Sequence, residues 1–163
     1  MADRTIRIDA RRVIGDEFAC RRCACAGDGT GLASSSLDDA FDAFRSLGGV
    51  LGGDELVAML RPVRPQPMSW IARLIVSRGI VNFSWHARTM IPMFQFEGSD
   101  LRPRSAVDAA IRELVDVYDD EEIACWFTRP NAWLERTSPL AALATRPDSL
   151  VSAARADRFV ARG

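Results

Sequence analysis

The sequence predicts a mainly α fold: a degenerate helix-turn-helix-like three-helix unit with a small β-hairpin wing, followed by a C-terminal bundle of short helices. Three observations carry this. Apolar residues recur at three- and four-residue spacing over Leu37–Leu47 and again over Val107–Val117, the period of a helix with one buried face. β-Branched and aromatic residues with partial alternation gather only between Ile80 and Phe96. Prolines and glycines then cut the remaining helical pattern into short lengths.

Residues 1–36 read as a disordered N-terminal arm, because their charges follow no helical period and they end in Gly27-Asp28-Gly29-Thr30-Gly31 and Ser34-Ser35-Ser36. Residues 37–101 form the helix-turn-helix-like region with its hairpin. Its first helix carries Leu37, Ala40, Phe41, Phe44 and Leu47 inward and stops at Gly48-Gly49. A second runs Asp54–Leu60 with Leu56, Val57 and Leu60 inward. Pro62, Pro65 and Pro67 interrupt the chain before a third helix from about Met68 to Arg78. That connection is longer and richer in proline than the usual three- or four-residue turn. His86-Ala87-Arg88-Thr89 is the expected hairpin turn, and Pro92 marks the second arm as an edge strand or extended segment.

Residues 102–163 form the C-terminal helical domain. Ser105 and Asp108 have capping-box spacing before the stripe Val107, Ala110, Ile111, Leu114 and Val117. Asp119-Asp120-Glu121-Glu122 puts negative charge where the next helix begins, which its dipole favours, and Pro130 ends that helix. Ser138-Pro139 is an N-cap with proline at the first helical position, and Pro147-Asp148 opens the last helix, which reaches Gly163.

Composition narrows the function classes. In 163 residues, 21 basic and 22 acidic side chains give a net charge of −1, and 48% hydrophobic residues suffice for a core. The basic residues are all Arg, and no region is strongly basic, so phosphate neutralisation on DNA has no charge signature. No segment has the roughly 18 apolar residues that span a bilayer. Met1–Ala10 is charged and lacks a signal-peptide apolar stretch, so a cytoplasmic location with reduced thiols is expected.

No catalytic constellation is evident. The single histidine, His86, has no G-x-S-x-G partner, and Cys125 lies among acidic and aromatic residues that would not lower its pKa. Cys20, Cys23 and Cys25 supply three thiols where zinc wants four ligands, so neither a metal nor a cofactor is expected. The 27–31 glycine stretch lacks the Lys-Ser/Thr pair of a phosphate loop. On the third helix, Arg73 and Arg78 are candidate phosphate contacts, although the helix is otherwise too apolar to read bases well. On the last helix, Arg155, Arg158 and Arg162 share one face, either as a solvated stripe or as contacts for an acidic cleft.

The stretch from Trp126-Phe127-Thr128-Arg129-Pro130-Asn131 through Ala132-Trp133-Leu134-Glu135-Arg136-Thr137-Ser138-Pro139-Leu140 resembles the antitoxin Xre/MbcA/ParS-type toxin-binding domain. That family has an aromatic-ended helix, a Pro-Asn step, a leucine, a Pro-Leu helix start and a closing helix that ends near a glycine. The resemblance covers about residues 90–163, with Trp126, Pro130, Asn131, Trp133, Leu134 and Pro139 as the motif core. Family members usually carry glycine between the leucine and the Ser/Thr-Pro step, where this chain has Glu135-Arg136-Thr137. The resemblance implies a non-enzymatic antitoxin. Its partner would be a RES-type, NAD-consuming toxin whose active site the last helix occludes, with Arg155, Arg158 and Arg162 as the contacts. A homo-oligomer is a further possibility. The competing readings are a DNA-binding autorepressor acting through residues 37–96 and a scaffold that has lost its toxin.

Overall fold

Two glycines in the left-handed region set the start of the described fold. Gly48 (φ 101°) and Gly49 (φ 80°) end a helical stretch containing Ala40 and Asp42–Phe44, because a side chain at such φ would clash with its own backbone. The structure, a computed structural model, describes residues 40, 42–44, 46–85 and 87–163, and only the backbone of Trp85. The expected disordered arm, its Cys20, Cys23 and Cys25, and His86 lie outside these residues. What is described is mostly helical with a small antiparallel sheet.

After the glycines comes strand β1 (Val50–Gly52), which the sequence pattern does not announce, and then helix α1 (Gly53–Leu60). The backbone N–H of Gly52 donates to the Glu55 carboxylate at 2.7 Å, satisfying a donor at the helix entrance. The 61–66 connection leads to α2 (Pro67–Val76), with proline at its first position. Strands β2 (Phe83–Trp85) and β3 (Arg88–Pro92) form the expected hairpin, with Phe83 opposite Met90.

The sheet order is β1-β3-β2, so β3 is the central strand. This corrects the edge placement inferred from Pro92. The proline is tolerated because it is the last residue of the strand, opposite Val50, where few ladder bonds remain to be made. The sheet is also not a peripheral wing. Leu51, Ile91 and Phe96 join α1 and α2 in a smaller core, whereas Phe83, Met90 and Phe94 enter the larger core with the C-terminal helices. Phe94 stacks on Phe44 (centroids 5.3 Å, 6° between planes) and tilts against Phe127 at 4.9 Å. The larger core therefore crosses the boundary expected at 101–102. Buried Gln95 ties the layers together, accepting from Val81 N at 2.7 Å and donating to the Val81 and Pro92 carbonyls at 2.8 Å each.

Past the short pair β4 (Phe96–Glu97) and β5 (Arg102–Pro103) lies α3 (Ser105–Leu114). Ser105 is inside this helix and caps nothing, and Asp108 pairs with Arg112 at 3.0 Å, so the expected capping box is absent. Val117 falls in the turn beyond the helix. The box forms one helix later: at the start of α4 (Asp120–Thr128), Asp119 and Glu122 exchange backbone-to-carboxylate bonds of 2.8 Å each. The one-turn helix Ala132–Leu134, α5 (Pro139–Thr145) and α6 (Ser149–Arg162) complete the chain. Ser138 caps α5 as its spacing implies, accepting from Ala141 N at 3.2 Å. Leu150, Ala153 and Ala154 are buried where α6 packs on α3; the two alanines let the helices approach closely. Among the described residues, no helix is long and apolar enough to cross a membrane.

Candidate partner-binding site

The turn between α4 and α5 is built around Asn131. Pro130 cannot continue the helix, and the buried Asn131 closes the turn after it. Its side-chain oxygen accepts from Trp133 N at 2.9 Å, and its carbonyl accepts from Leu134 N at 3.1 Å and Arg136 N at 2.9 Å. Its own N–H donates to the Thr137 carbonyl at 3.1 Å. Leu134 and Pro139 are buried on either side of the turn, so the motif core acts as a fixed corner. Glu135 (φ 56°) and Arg136 (φ 63°) are both left-handed. The chain thus keeps a glycine-like path with two residues that bear a Cβ.

This corner is locked to the terminal helix by Asp157. Its Oδ2 accepts from the Trp126 indole N–H and the Asn131 amide, both at 2.6 Å, and its Oδ1 accepts from the Trp133 indole N–H at 2.8 Å. Three donors on one carboxylate join both tryptophans and the asparagine of the motif to α6. Asp157 is not among the residues that the sequence motifs single out, although a signal for it is present. It follows Leu150, Ala153 and Ala154 at helical spacing, an acid at a position the period assigns to the packed face.

The three arginines of α6 clasp α3. Arg155 donates to Glu113 Oε1 through Nη2 at 2.9 Å and Nε at 3.2 Å, and Arg162 donates to Asp116 at 3.0 Å. Arg158 lies 2.5 Å from Glu113 Oε2 as a charge contact without hydrogen-bond alignment. The Arg155 hydrogen bond and the charges of Arg155 and Arg158 hold the Glu113 carboxyl below its ordinary range, against the opposing effect of its burial. Replacing all three arginines would therefore disturb the packing of α6 as well as any contact they make.

Besides Ser152, Arg155 and Arg162, α6 leaves apolar side chains to solvent. Phe159 is 78% exposed and Val160 64%, and the Trp133 ring held by Asp157 is 56% exposed.

The candidate nucleic-acid residues separate. Arg73 is exposed on α2, whose outer side also shows Met68 and Val76. Arg78, left-handed at φ 49°, turns toward the C-terminal helices. It pairs with Asp120 at 2.9 Å and donates to the carbonyls of Val115 and Tyr118, which lie past the end of α3. It forms the cationic side of an open groove also lined by Asn82, Tyr118 and Asp120. Cys125 is buried in α4, and among the described residues no three His, Cys, Asp or Glu side chains are grouped to hold a metal. No family model, curated protein or solved structure matches the chain.

Proposed function

We propose that the chain is an antitoxin-like protein-binding module that neutralises a partner toxin by covering its active site with the terminal helix. By the resemblance of residues 90–163, the partner is a RES-type, NAD-consuming toxin. The observation that carries the reading is the two-sidedness of α6. Its inner face is fixed by Asp157 and by the arginine clasp, while Phe159 and Val160 stand in solvent and Asp157 also holds the half-exposed Trp133. A rigid helix with apolar anchors binds at a low ordering cost, because its conformation is set before contact. Arg155 and Arg162 would then form the charged rim of such a contact rather than its centre.

In this reading the degenerate helix-turn-helix-like unit with its hairpin is the platform that supports the toxin-binding helices. Autorepression through residues 37–96 is less well supported: Arg78 is engaged within the chain, and the outer side of α2 offers only Ser69 and Arg73 as polar groups among Met68, Ala72 and Val76.

Co-expression with the product of an adjacent toxin-sized reading frame, with cellular NAD as the readout, tests the proposal. The wild-type chain should preserve NAD. Phe159→Asp should lose that protection without a change in thermal midpoint, since the ring is largely in solvent. NAD loss in the presence of the wild-type chain, or equal protection by Phe159→Asp, rejects it.

A further inference from the structure

We infer that Arg78 is a single-residue latch that holds the α1–α2 layer closed on the C-terminal helices, and that this layer opens as one unit when the latch lets go. The inference is independent of what α6 binds. The two cores are separate clusters: α1 and α2 bury Leu56, Leu60 and Ile71 with Leu51 and Ile91 on one face of the sheet, whereas Phe83 and Met90 point from the other face toward the C-terminal helices. Buried apolar contacts therefore join each layer to the sheet between them. Among the described residues, Arg78 makes every hydrogen bond and ion pair that links residues 53–79 to residues 105–163. Its Nε donates to Asp120 Oδ1 at 2.9 Å, and its two Nη atoms donate to the carbonyls of Val115 and Tyr118. All three acceptors lie between the end of α3 and the start of α4.

Arg78 makes these bonds from a left-handed backbone (φ 49°), a conformation disfavoured for a residue with a Cβ. Glycine would take this helix-ending turn without that cost, but it would bring no guanidinium to the other layer. Because one planar group makes all three bonds, they break together when the layer lifts. Opening would expose Leu56, Leu60 and Ile71, each 3% exposed or less in the closed chain. It would leave the Asp157 corner and the α6 clasp intact, since neither involves α1 or α2.

Amide hydrogen exchange of the full chain in low urea tests this, because it resolves openings smaller than global unfolding. In the wild type, the amides of α1 and α2 should exchange through one shared opening that is easier than global unfolding. Arg78→Ala should speed that exchange roughly fivefold to a hundredfold, the range for stripping buried acceptors of a charged donor. Leu150→Ala removes a fully buried side chain where α6 packs on α3. It should speed exchange in α3 and α6 and leave α1 and α2 unchanged, which a merely structural role for Arg78 in one cooperative unit does not allow. Asp120→Ala keeps both carbonyl bonds of Arg78 and serves if Arg78→Ala fails to fold; it should speed exchange in α1 and α2 by a smaller factor. Equal acceleration of all four helices by Leu150→Ala, or unchanged exchange of α1 and α2 in the latch variants, overturns the inference.

Discussion

Replacing Arg136 with glycine should stabilise this protein, although it removes a side chain. Arg136 sits at φ 63° in the turn that Asn131 closes. A residue with a Cβ is disfavoured there by about 1–2 kcal/mol. Glycine has no such penalty but gives the unfolded chain more freedom, which offsets about 0.5–1 kcal/mol. The difference leaves a net gain of about 0.5–1 kcal/mol, or about 1–4 °C in thermal midpoint for a chain of this size. Glu135 has the same backbone (φ 56°), but its exposed pairing with Arg146 at 3.2 Å would be lost, so Glu135→Gly should gain less. Arg136→Ala is the control, because it removes the guanidinium and keeps the Cβ. Urea unfolding monitored by circular dichroism separates the cases: Arg136→Gly should shift the midpoint upward with an unchanged slope, and Arg136→Ala should not. A destabilised Arg136→Gly, or an equal gain from Arg136→Ala, would refute the strain argument.

The core, the Arg78 contacts and the α6 clasp each have their own expected outcome. Phe127→Ala removes a fully buried ring that meets Phe94 and Trp126, and should lower unfolding free energy by about 3–5 kcal/mol in urea titration. Arg78→Ala leaves the carbonyls of Val115 and Tyr118 without their donor and should cost about 1–3 kcal/mol in the same assay. Glu113 has a folded-state pKa below its ordinary 4.5, so its contribution is present above that pH and is lost as pH falls through the folded value. The stability gap between wild type and Glu113→Gln should accordingly close in acid; a gap constant from pH 7 into that range would contradict the clasp.

Legibility in the sequence followed the length scale of the signal. Helices with a strong apolar period or a proline-marked start were readable: α1, α4, α5 and α6 lie where Leu56, Ile123, Ser138-Pro139 and Pro147 place them. Three-residue β1 was not readable, because Val50–Gly52 is too short for alternation and owes its pairing to β3. The central position of β3 was hidden for the same reason, since Pro92 argues only about its own N–H. Ser105 and Asp108 have the right spacing for a cap, but the helix starts at Ser105 itself. In the candidate site, the motif core from Trp126 to Pro139 is visible as a pattern, and helical spacing puts Asp157 on the packed face without revealing its partners. Asp157 lies 24 residues beyond Trp133, and such a contact exists only once α6 has folded back. Helical spacing puts Arg155, Arg158 and Arg162 on one face, but a period cannot reveal that Glu113 and Asp116 stand opposite.

The proposed function requires α6 to be held on one side and offered on the other. Amide hydrogen exchange of the chain, alone and with the adjacent-frame toxin, measures this directly. Alone, the amides of Ala153–Asp157 should be well protected by packing on α3, with protection declining toward Gly163. With the toxin, new protection should concentrate in the last two turns of α6 and in the Ala132–Arg136 turn. New protection confined to α2 and the hairpin, with α6 unchanged, would contradict it.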